Sequence, residues 1–186
     1  MPHRQIIRDV QSGSLRSVYL LHGEEPFFID EIAKALEDVV VEESMRDFNQ
    51  TIVYGRDTTV DQLLEAARRF PMMAERQLVM MREAQDWPAW KRANDMVKLE
   101  AYAKAPVSST VLVFCFKNKK ADGRLKAVKA ISKAGLLFLS EKVRDYKLAE
   151  WISNQVQEKG MRIGGHAAQI LAEYLGNDLR KVMNEL

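Results

Sequence analysis

Five short apolar runs, rich in β-branched and aromatic residues, alternate with segments of helical periodicity over residues 1–140. The runs occupy residues 17–21, 51–54, 77–81, 110–116 and 136–139. A strand reaches a parallel neighbour only through a long crossover, usually a helix, so this alternation favours parallel pairing. The run at 110–116 is apolar almost throughout, as expected for a strand buried on both faces. The pattern therefore predicts an α/β fold, with a five-stranded parallel sheet flanked by helices.

Local start and stop signals mark the helices between these strands. Pro26 suits the first position of a helix that runs to about residue 43, and Thr58 or Thr59 can cap the next helix. Pro71 ends that second helix, because the residue before a proline is biased away from helical geometry. Two further helices are predicted at 123–133 and at 87–104, the latter with a buried face of Trp90, Ala93, Val97 and Ala101.

The pattern changes after residue 140, where no further strand run occurs. Two helical patterns close at Gly160 and Gly176, because glycine is a common helix stop. A third continues to Leu186 without a capping signal. We therefore expect one α/β domain over residues 1–140 and the start of a small all-helical domain over 141–186, truncated within its third helix.

The composition limits the function and the location of the chain. Hydrophobic residues make up 47% and charged residues 29%, which is enough for a packed core, so disorder is not expected. The formal net charge of +2 excludes attachment to nucleic acid by bulk charge alone. A single cysteine, Cys115, excludes internal disulfides and multi-cysteine metal sites. Since no leader-like or membrane-spanning apolar stretch occurs, we expect a cytoplasmic protein with no membrane partner.

The turn after the first strand is where sheets of this kind usually bind nucleotide phosphates. It reads His-Gly-Glu-Glu-Pro-Phe-Phe over residues 22–28. A P-loop needs several glycines, a lysine and a Ser or Thr for magnesium, whereas this turn has one glycine, no lysine and two carboxylates. The sequence therefore predicts a degenerate P-loop and no bound cofactor. The alternative is a P-loop-like nucleotide-binding enzyme with a divergent phosphate site.

Other catalytic patterns are equally weak. His3, His22 and His166 lack the spacing of metal ligands and are expected at the surface or at an edge. Cys115 lies within an apolar strand, where a buried thiol is unreactive. No G-x-S-x-G motif occurs. We therefore predict neither a catalytic residue nor a metal ligand.

Charge is unevenly distributed along the chain. Residues 117–133 hold seven basic residues against Asp122, whereas residues 24–47 hold nine acidic residues against Lys34 and Arg46. The basic run fits a DNA-binding module, and it equally fits an ordinary solvated helix, so both interpretations stay open. No aromatic residues interleave the basic ones, so stacking on a single strand is not indicated.

Three large apolar side chains surround a proline at the end of the second predicted helix. They are Phe70, Met72 and Met73. The helix before them and the strand after them already have their own apolar sets. Methionine fills gaps in cores and also forms adaptable binding surfaces. Taken alone, the composition of this segment favours the core.

Several segments resemble the family of bacterial DNA polymerase III delta subunits. They are residues 18–27, 70–79, 109–114, 176–180 and 184–186. The matches are spread along the chain in the family's order. This family is similar to AAA+ clamp loaders, which carry a RecA-like domain, a small helical lid and a C-terminal helical collar. The resemblance implies a RecA-like AAA+ domain without ATPase motifs over 1–140, most of the lid over 141–186, and no collar.

The resemblance also implies a function. Delta subunits are clamp-loader subunits that have lost the ATPase motifs, and they bind and open the ring-shaped sliding clamp for loading onto primed DNA. The clamp contact of the family corresponds here to Met72 and Met73, with Phe70 beside them. The implied partners are the sliding clamp (the beta subunit), the other clamp-loader subunits and, indirectly, primed DNA. The resemblance implies a non-catalytic chain.

Overall fold

The computed structural model describes residues 2–186, which divide into two compact units between Ser140 and Glu141. The first unit contains a five-stranded sheet and six helices among its described residues, and the second contains three helices. Within the described residues, every helix is too short or too polar to cross a membrane.

The sheet of the first unit is entirely parallel, with the strand order β2-β3-β4-β1-β5. The strands are β1 (Val18–Gly23), β2 (Gln50–Tyr54), β3 (Gln77–Arg82), β4 (Thr110–Lys117) and β5 (Leu136–Ser140). Each lies within two residues of its predicted position. The predicted five-stranded parallel sheet flanked by helices is therefore confirmed.

Burial follows the composition of the strands. The three central strands β3, β4 and β1 are buried along almost their whole length, because helices cover both faces of the sheet and exclude water. The edge strands β2 and β5 are only partly buried. In the centre of the sheet, Leu20 pairs with Phe114 on one side and with Leu137 on the other.

The helices of the first unit begin at the predicted signals where such signals exist. They are α1 (Pro2–Gln11), α2 (Pro26–Val40), α3 (Arg46–Asn49), α4 (Val60–Arg68), α5 (Ala93–Lys104) and α6 (Lys126–Ala134). Pro26 is the first residue of α2, and the carboxylate of Glu25 accepts the N–H of Phe27 at 3.1 Å. Thr59 and Gln62 form a reciprocal capping box at the start of α4.

The helix α1 is a departure from the sequence prediction, which placed no element before β1. Its sequence is mostly polar, and only His3 and Val10 are fully buried. The ring of His3 stacks on Phe28 of α2 with centroids 4.2 Å apart. Since this packing depends on a residue far along the chain, the local pattern at 2–11 carries little signal of it.

The single helix predicted over residues 87–104 is wrong. Pro88 begins a short 3-10 turn, and α5 starts only at Ala93. Trp87 and Trp90 pack from the turns against Phe114 of β4, with centroids 5.9 Å away in both cases, so they do not belong to the face of α5. The buried residues of α5 are Met96, Leu99, Tyr102 and Ala103, and the predicted face of Ala93, Val97 and Ala101 is exposed.

The second unit consists of α7 (Asp145–Glu158), α8 (Gly165–Leu175) and α9 (Leu179–Glu185). Trp151 and Ile152 of α7 are fully buried, as is Val182 of α9. The carboxylate of Asp178 accepts the N–H of Lys181 at 3.0 Å and caps α9. No strand occurs in the described residues of this unit.

Candidate partner-binding site

The segment between α4 and β3, residues 69–76, exposes three large apolar side chains. Phe70 is 85% exposed, Met72 56% and Met73 95%. Single exposed apolar residues are common on proteins, but three within four positions form a patch of a kind that marks interaction sites. We call residues 69–76 the Met72 loop.

The entry to the Met72 loop is fixed by Gln77, the first residue of β3. Its Nε2 donates to the carbonyl oxygens of Arg69 at 2.6 Å and Ala66 at 3.2 Å, and to Oγ1 of Thr110 at 2.9 Å. Gln77 and Thr110 are buried. The bond to Arg69 provides a partner for a carbonyl at the end of α4, so the loop leaves the helix in a defined direction.

The middle of the loop is fixed by Asn49, the last residue of α3. Its Oδ1 accepts the N–H of Met72 at 2.6 Å, and its Nδ2 donates to the carbonyl oxygen of Met72 at 2.9 Å. The side chain of Asn49 is thus paired with the main chain of Met72 as a neighbouring strand would be. Asn49 is almost fully buried, so the main chain of Met72 is held while its side chain remains exposed.

Met73 has a φ of 51°, in the left-handed region that non-glycine residues rarely adopt. Such a conformation costs on the order of 1 kcal/mol or more and persists only where the surroundings impose it. The fixed conformation of Met72 and the anchored end at Gln77 supply that constraint. Unfavourable backbone geometry beside an exposed apolar patch is typical of a functional segment.

The exposed surface continues beyond the loop. Met73 lines an open cavity of about 510 Å³ together with Leu15, Val39, Met45 and Arg76. Phe48, which directly precedes Asn49, is 64% exposed. Sequence reasoning missed Asn49 and Gln77 as supports of the loop. Asn49 lies 23 positions before Met72, and no local pattern shows that the side chain of Gln77 turns back to Ala66 and Arg69.

The turn after β1 uses its hydrogen-bond donors within the chain. The N–H groups of Glu24 and Glu25 donate to the carbonyl oxygen of Ser140 at 2.9 and 3.3 Å. The N–H of Phe27 donates to the Glu25 carboxylate, and Oγ of Ser140 donates to the carbonyl oxygen of Glu25 at 2.6 Å. In a P-loop, the corresponding N–H groups face the phosphates.

The main chain at Gly23 is also too close to β5 to leave room for a phosphate cradle. Gly23 has a φ of 142°, and a Cβ there would lie 2.0 Å from the carbonyl oxygen of Ser140. The carboxylate of Glu25 is buried beside this turn, where a negative charge opposes phosphate binding. The geometry and the charge of the turn both disfavour a nucleotide.

The histidines differ from the sequence expectation, which is wrong for His3 and His22 because both are buried. Burial, together with the charge of Arg4, lowers the pKa of His3 to about 4, and its Nε2 lies 3.5 Å from Oε2 of Glu31. Burial also lowers the pKa of His22, whose Nδ1 accepts the N–H of Ala121 at 3.1 Å. Both imidazole rings are therefore packed and bonded within the fold.

Cys115 and the possible metal ligands also lack the properties of a catalytic site. Burial raises the pKa of Cys115 to about 12, so its thiol is not ionised at neutral pH. Among residues 2–186, no three His, Cys, Asp or Glu side chains are arranged to hold a metal ion.

Ion pairs neutralise part of the charge of both runs, and one of these pairs joins the two runs. Lys117 of the basic run pairs with Asp30 of the acidic run. Arg124 pairs with Asp122 at 2.8 Å, and Glu37 pairs with Arg82 at 2.5 Å. The exposed lysines at 119 and 120 lie beside aromatic residues from another part of the chain, a placement that the linear sequence did not indicate.

Comparisons with known proteins agree with the fold. A family model described as DNA polymerase III, delta subunit matches residues 19–140, more than half of the chain. The DNA polymerase III subunit delta of Bacillus subtilis is 25% identical over 183 residues, which cover 96% of this chain and 53% of that protein. The chain therefore spans about half the length of this curated relative.

Solved structures show the same architecture. The Bacillus subtilis DNA clamp loader delta protein superposes with a TM-score of 0.83 at 24% identity, over 98% of this chain and 55% of that one. A gamma subunit-related protein of DNA polymerase III from Thermotoga maritima gives a TM-score of 0.57 at 11% identity, covering 98% and 56% of the two chains. At these sequence identities, the superpositions show a shared fold.

Proposed function

Because the chain belongs to the family of DNA polymerase III delta subunits, we propose that it binds the sliding clamp through Phe70, Met72 and Met73 and opens the ring for loading onto primed DNA. The observation that carries the proposal is the exposure of these three side chains on a loop whose main chain is fixed at both Arg69 and Met72.

A fixed loop suits tight binding. Ordering a flexible segment on association costs free energy, which a loop that is already held in place does not lose. Burying a methionine side chain in a partner pocket is worth about 1.5–3 kcal/mol. Two or three such side chains at the centre of an interface are enough for a binding hot spot.

In this proposal the chain does not hydrolyse ATP. The N–H groups of the turn after β1 are bonded to Ser140 and Glu25, and the turn carries two carboxylates and no lysine. ATP would be bound and hydrolysed by other subunits of the loader, in the cytoplasm. We assign assembly with those subunits to the collar domain that the family carries.

The test is a calorimetric titration of the 186-residue chain with the sliding clamp from the same source. We expect Met72→Asp/Met73→Asp to weaken binding by two orders of magnitude or more, because two carboxylates would be buried without partners. A matched control is Val97→Asp/Ile170→Asp, which places the same charges at two other exposed apolar positions. This control should bind as the parent chain does.

Thermal melts followed by circular dichroism distinguish the possible outcomes. The loop variant should melt within a few degrees of the parent chain, because its altered side chains are exposed. If it melts much lower, these methionines stabilise the fold and the assignment is wrong. If it stays folded and binds the clamp like the parent chain, the clamp contact lies elsewhere.

A further inference from the structure

A second surface of the first unit combines aromatic and basic side chains. A pocket of about 700 Å³ lies among the segments that follow β3 and β4. Trp87, Trp90 and Phe116 form its aromatic lining, and basic residues from two separate segments surround them. This pocket has no role in the proposed clamp contact.

The aromatic lining is rigid. Trp90 packs edge-on against Trp87 at a centroid distance of 5.4 Å and against Phe116 at 5.8 Å. Its Nε1 donates to the carbonyl oxygen of Ala84 at 2.6 Å, which fixes the orientation of the indole. Trp87 and Phe116 are buried, whereas Trp90 remains partly exposed. Trp90 therefore offers a fixed aromatic surface to the pocket.

The charge around this surface is positive. Lys91 and Arg92 come from the segment after β3, and Lys119 and Lys120 from the segment after β4. All four are exposed, and Arg92 also lies 3.9 Å from a carboxylate oxygen of Asp95. The pocket also contains two carboxylates, and both are paired. Asp86 binds Arg56 at 3.2 Å and Asp122 binds Arg124 at 2.8 Å.

The segment that carries Lys119 and Lys120 is held in place. Asn118 has a φ of 63°, in the left-handed region, and turns the chain after β4. Lys119 then forms an antiparallel bridge with Gly23, and the N–H of Ala121 donates to Nδ1 of His22. Both lysines therefore extend from a main chain with little freedom.

Several main-chain N–H groups around the pocket are already bonded within the chain. Those of Lys117 and Arg92 donate to Oε1 of Gln85 and to the carbonyl oxygen of Ala89, both at 3.0 Å. That of Arg124 donates to the Asp122 carboxylate at 2.9 Å. Mononucleotide sites cradle phosphates with such N–H groups, whereas phosphodiester backbones are held largely by Lys and Arg side chains.

We propose that this pocket binds single-stranded nucleic acid. An unpaired base stacks on the exposed part of Trp90, and the flanking phosphates contact Lys91, Arg92, Lys119 and Lys120. A half-buried aromatic surface between basic side chains is the arrangement that single strands use, because stacking needs only the face of a base. In a duplex, the faces of the bases are covered by their neighbours, so the same surface discriminates against double strands.

The test is fluorescence anisotropy of a labelled oligodeoxythymidylate of about 16 nucleotides, a length that spans a typical single-strand site. We expect Lys119→Glu/Lys120→Glu to weaken binding by about tenfold or more and to reduce the slope of log affinity against log salt. The matched control is Lys129→Glu/Lys133→Glu, with the same charge change on exposed lysines of α6 outside the pocket. It should change the affinity by less than about threefold.

Trp90→Ala tests the stacking separately and should weaken binding by about 5- to 100-fold. If this variant melts well below the parent chain, Trp90→Phe replaces it and should retain most of the affinity.

The proposal is wrong if the two charge-reversal variants lose affinity equally, if a duplex of the same length competes as well as the single strand, or if ATP displaces the oligonucleotide at micromolar concentration. None of these outcomes bears on the proposed clamp contact, which the titration with the clamp tests separately.

Discussion

The side chain of Asn49 makes two hydrogen bonds with the main chain of Met72, 2.6 Å from Oδ1 to the N–H and 2.9 Å from Nδ2 to the carbonyl oxygen. The two residues lie 23 positions apart, Asn49 at the end of α3 and Met72 within the loop between α4 and β3. The conformation of the Met72 loop therefore depends on an amide that belongs to α3.

Replacing Asn49 with alanine removes both bonds and leaves the N–H of Met72 without its partner. We expect the free energy of unfolding to fall by about 1–3 kcal/mol in urea denaturation. Clamp affinity should fall by about tenfold, because the loop would have to be ordered on binding. Asn49→Asp keeps an acceptor for the N–H but places an oxygen against the carbonyl oxygen of Met72, so it should also lower the free energy of unfolding. Unchanged stability in both variants would contradict the role of this pair.

Replacing Gly23 with alanine should be severely destabilising. The new Cβ would lie 2.0 Å from the carbonyl oxygen of Ser140, and the φ of 142° is unfavourable for any other residue. We expect a loss of at least about 3 kcal/mol of unfolding free energy, from backbone strain and overpacking together. Gly123→Ala is the control, since a Cβ there has no neighbour within 4 Å. If both variants melted alike, the close approach to β5 would be disproved.

ATP with magnesium should leave the melting temperature unchanged. A ligand present at about 100 times its Kd would stabilise the chain by about 2.7 kcal/mol, which corresponds to several degrees. The donors of the turn after β1 are engaged with Ser140 and Glu25, so we expect no such shift. A reproducible rise at millimolar ATP, absent with magnesium alone, would favour the alternative of a divergent phosphate site.

The stability contributed by His3 should depend on pH. In the folded chain its pKa is lowered from 6.5 to about 4, mainly by burial. The unfolded chain therefore binds the proton more readily, and stability is lost as the pH falls from about 6.5 towards 4. Burial raises the pKa of the neighbouring Glu31, which acts in the opposite sense.

The variant His3→Gln isolates the contribution of the imidazole. Urea denaturation of both chains between pH 7.5 and about 4 should show the parent chain losing more stability on acidification than the variant. Parallel profiles would mean that His3 titrates in the folded chain as it does in the unfolded one.

The sheet could be predicted because its signals are local. The run at 110–116 is apolar enough to be buried on both faces, and it became the central strand β4. Pro26 and Thr59 mark the starts of α2 and α4 without help from distant residues. The composition of the Met72 loop alone favoured the core, whereas the structure exposes its methionines. Their role in clamp binding comes from the family resemblance and stays a prediction.

The supports of both candidate sites could not be predicted, because they depend on side-chain contacts that no local pattern shows. Asn49 is an ordinary polar residue until the fold places it beside Met72, and Gln77 follows the loop directly but bonds back to Arg69 only in the folded chain. Trp90 precedes the basic run by a whole helix and a strand, so nothing local shows that its indole lies near Lys119. Periodicity identifies elements, whereas contacts between their ends depend on the packed sheet.

The attachment of the Met72 loop has a mechanical consequence. A force applied to the main chain of Met72 passes through Asn49 to the first residue of β2, and through Arg69 and Gln77 to the start of β3. From Gln77 it continues to Thr110 at the start of β4. The loop is thus stiff under tension, and a pull on it is shared by three neighbouring strands of the sheet.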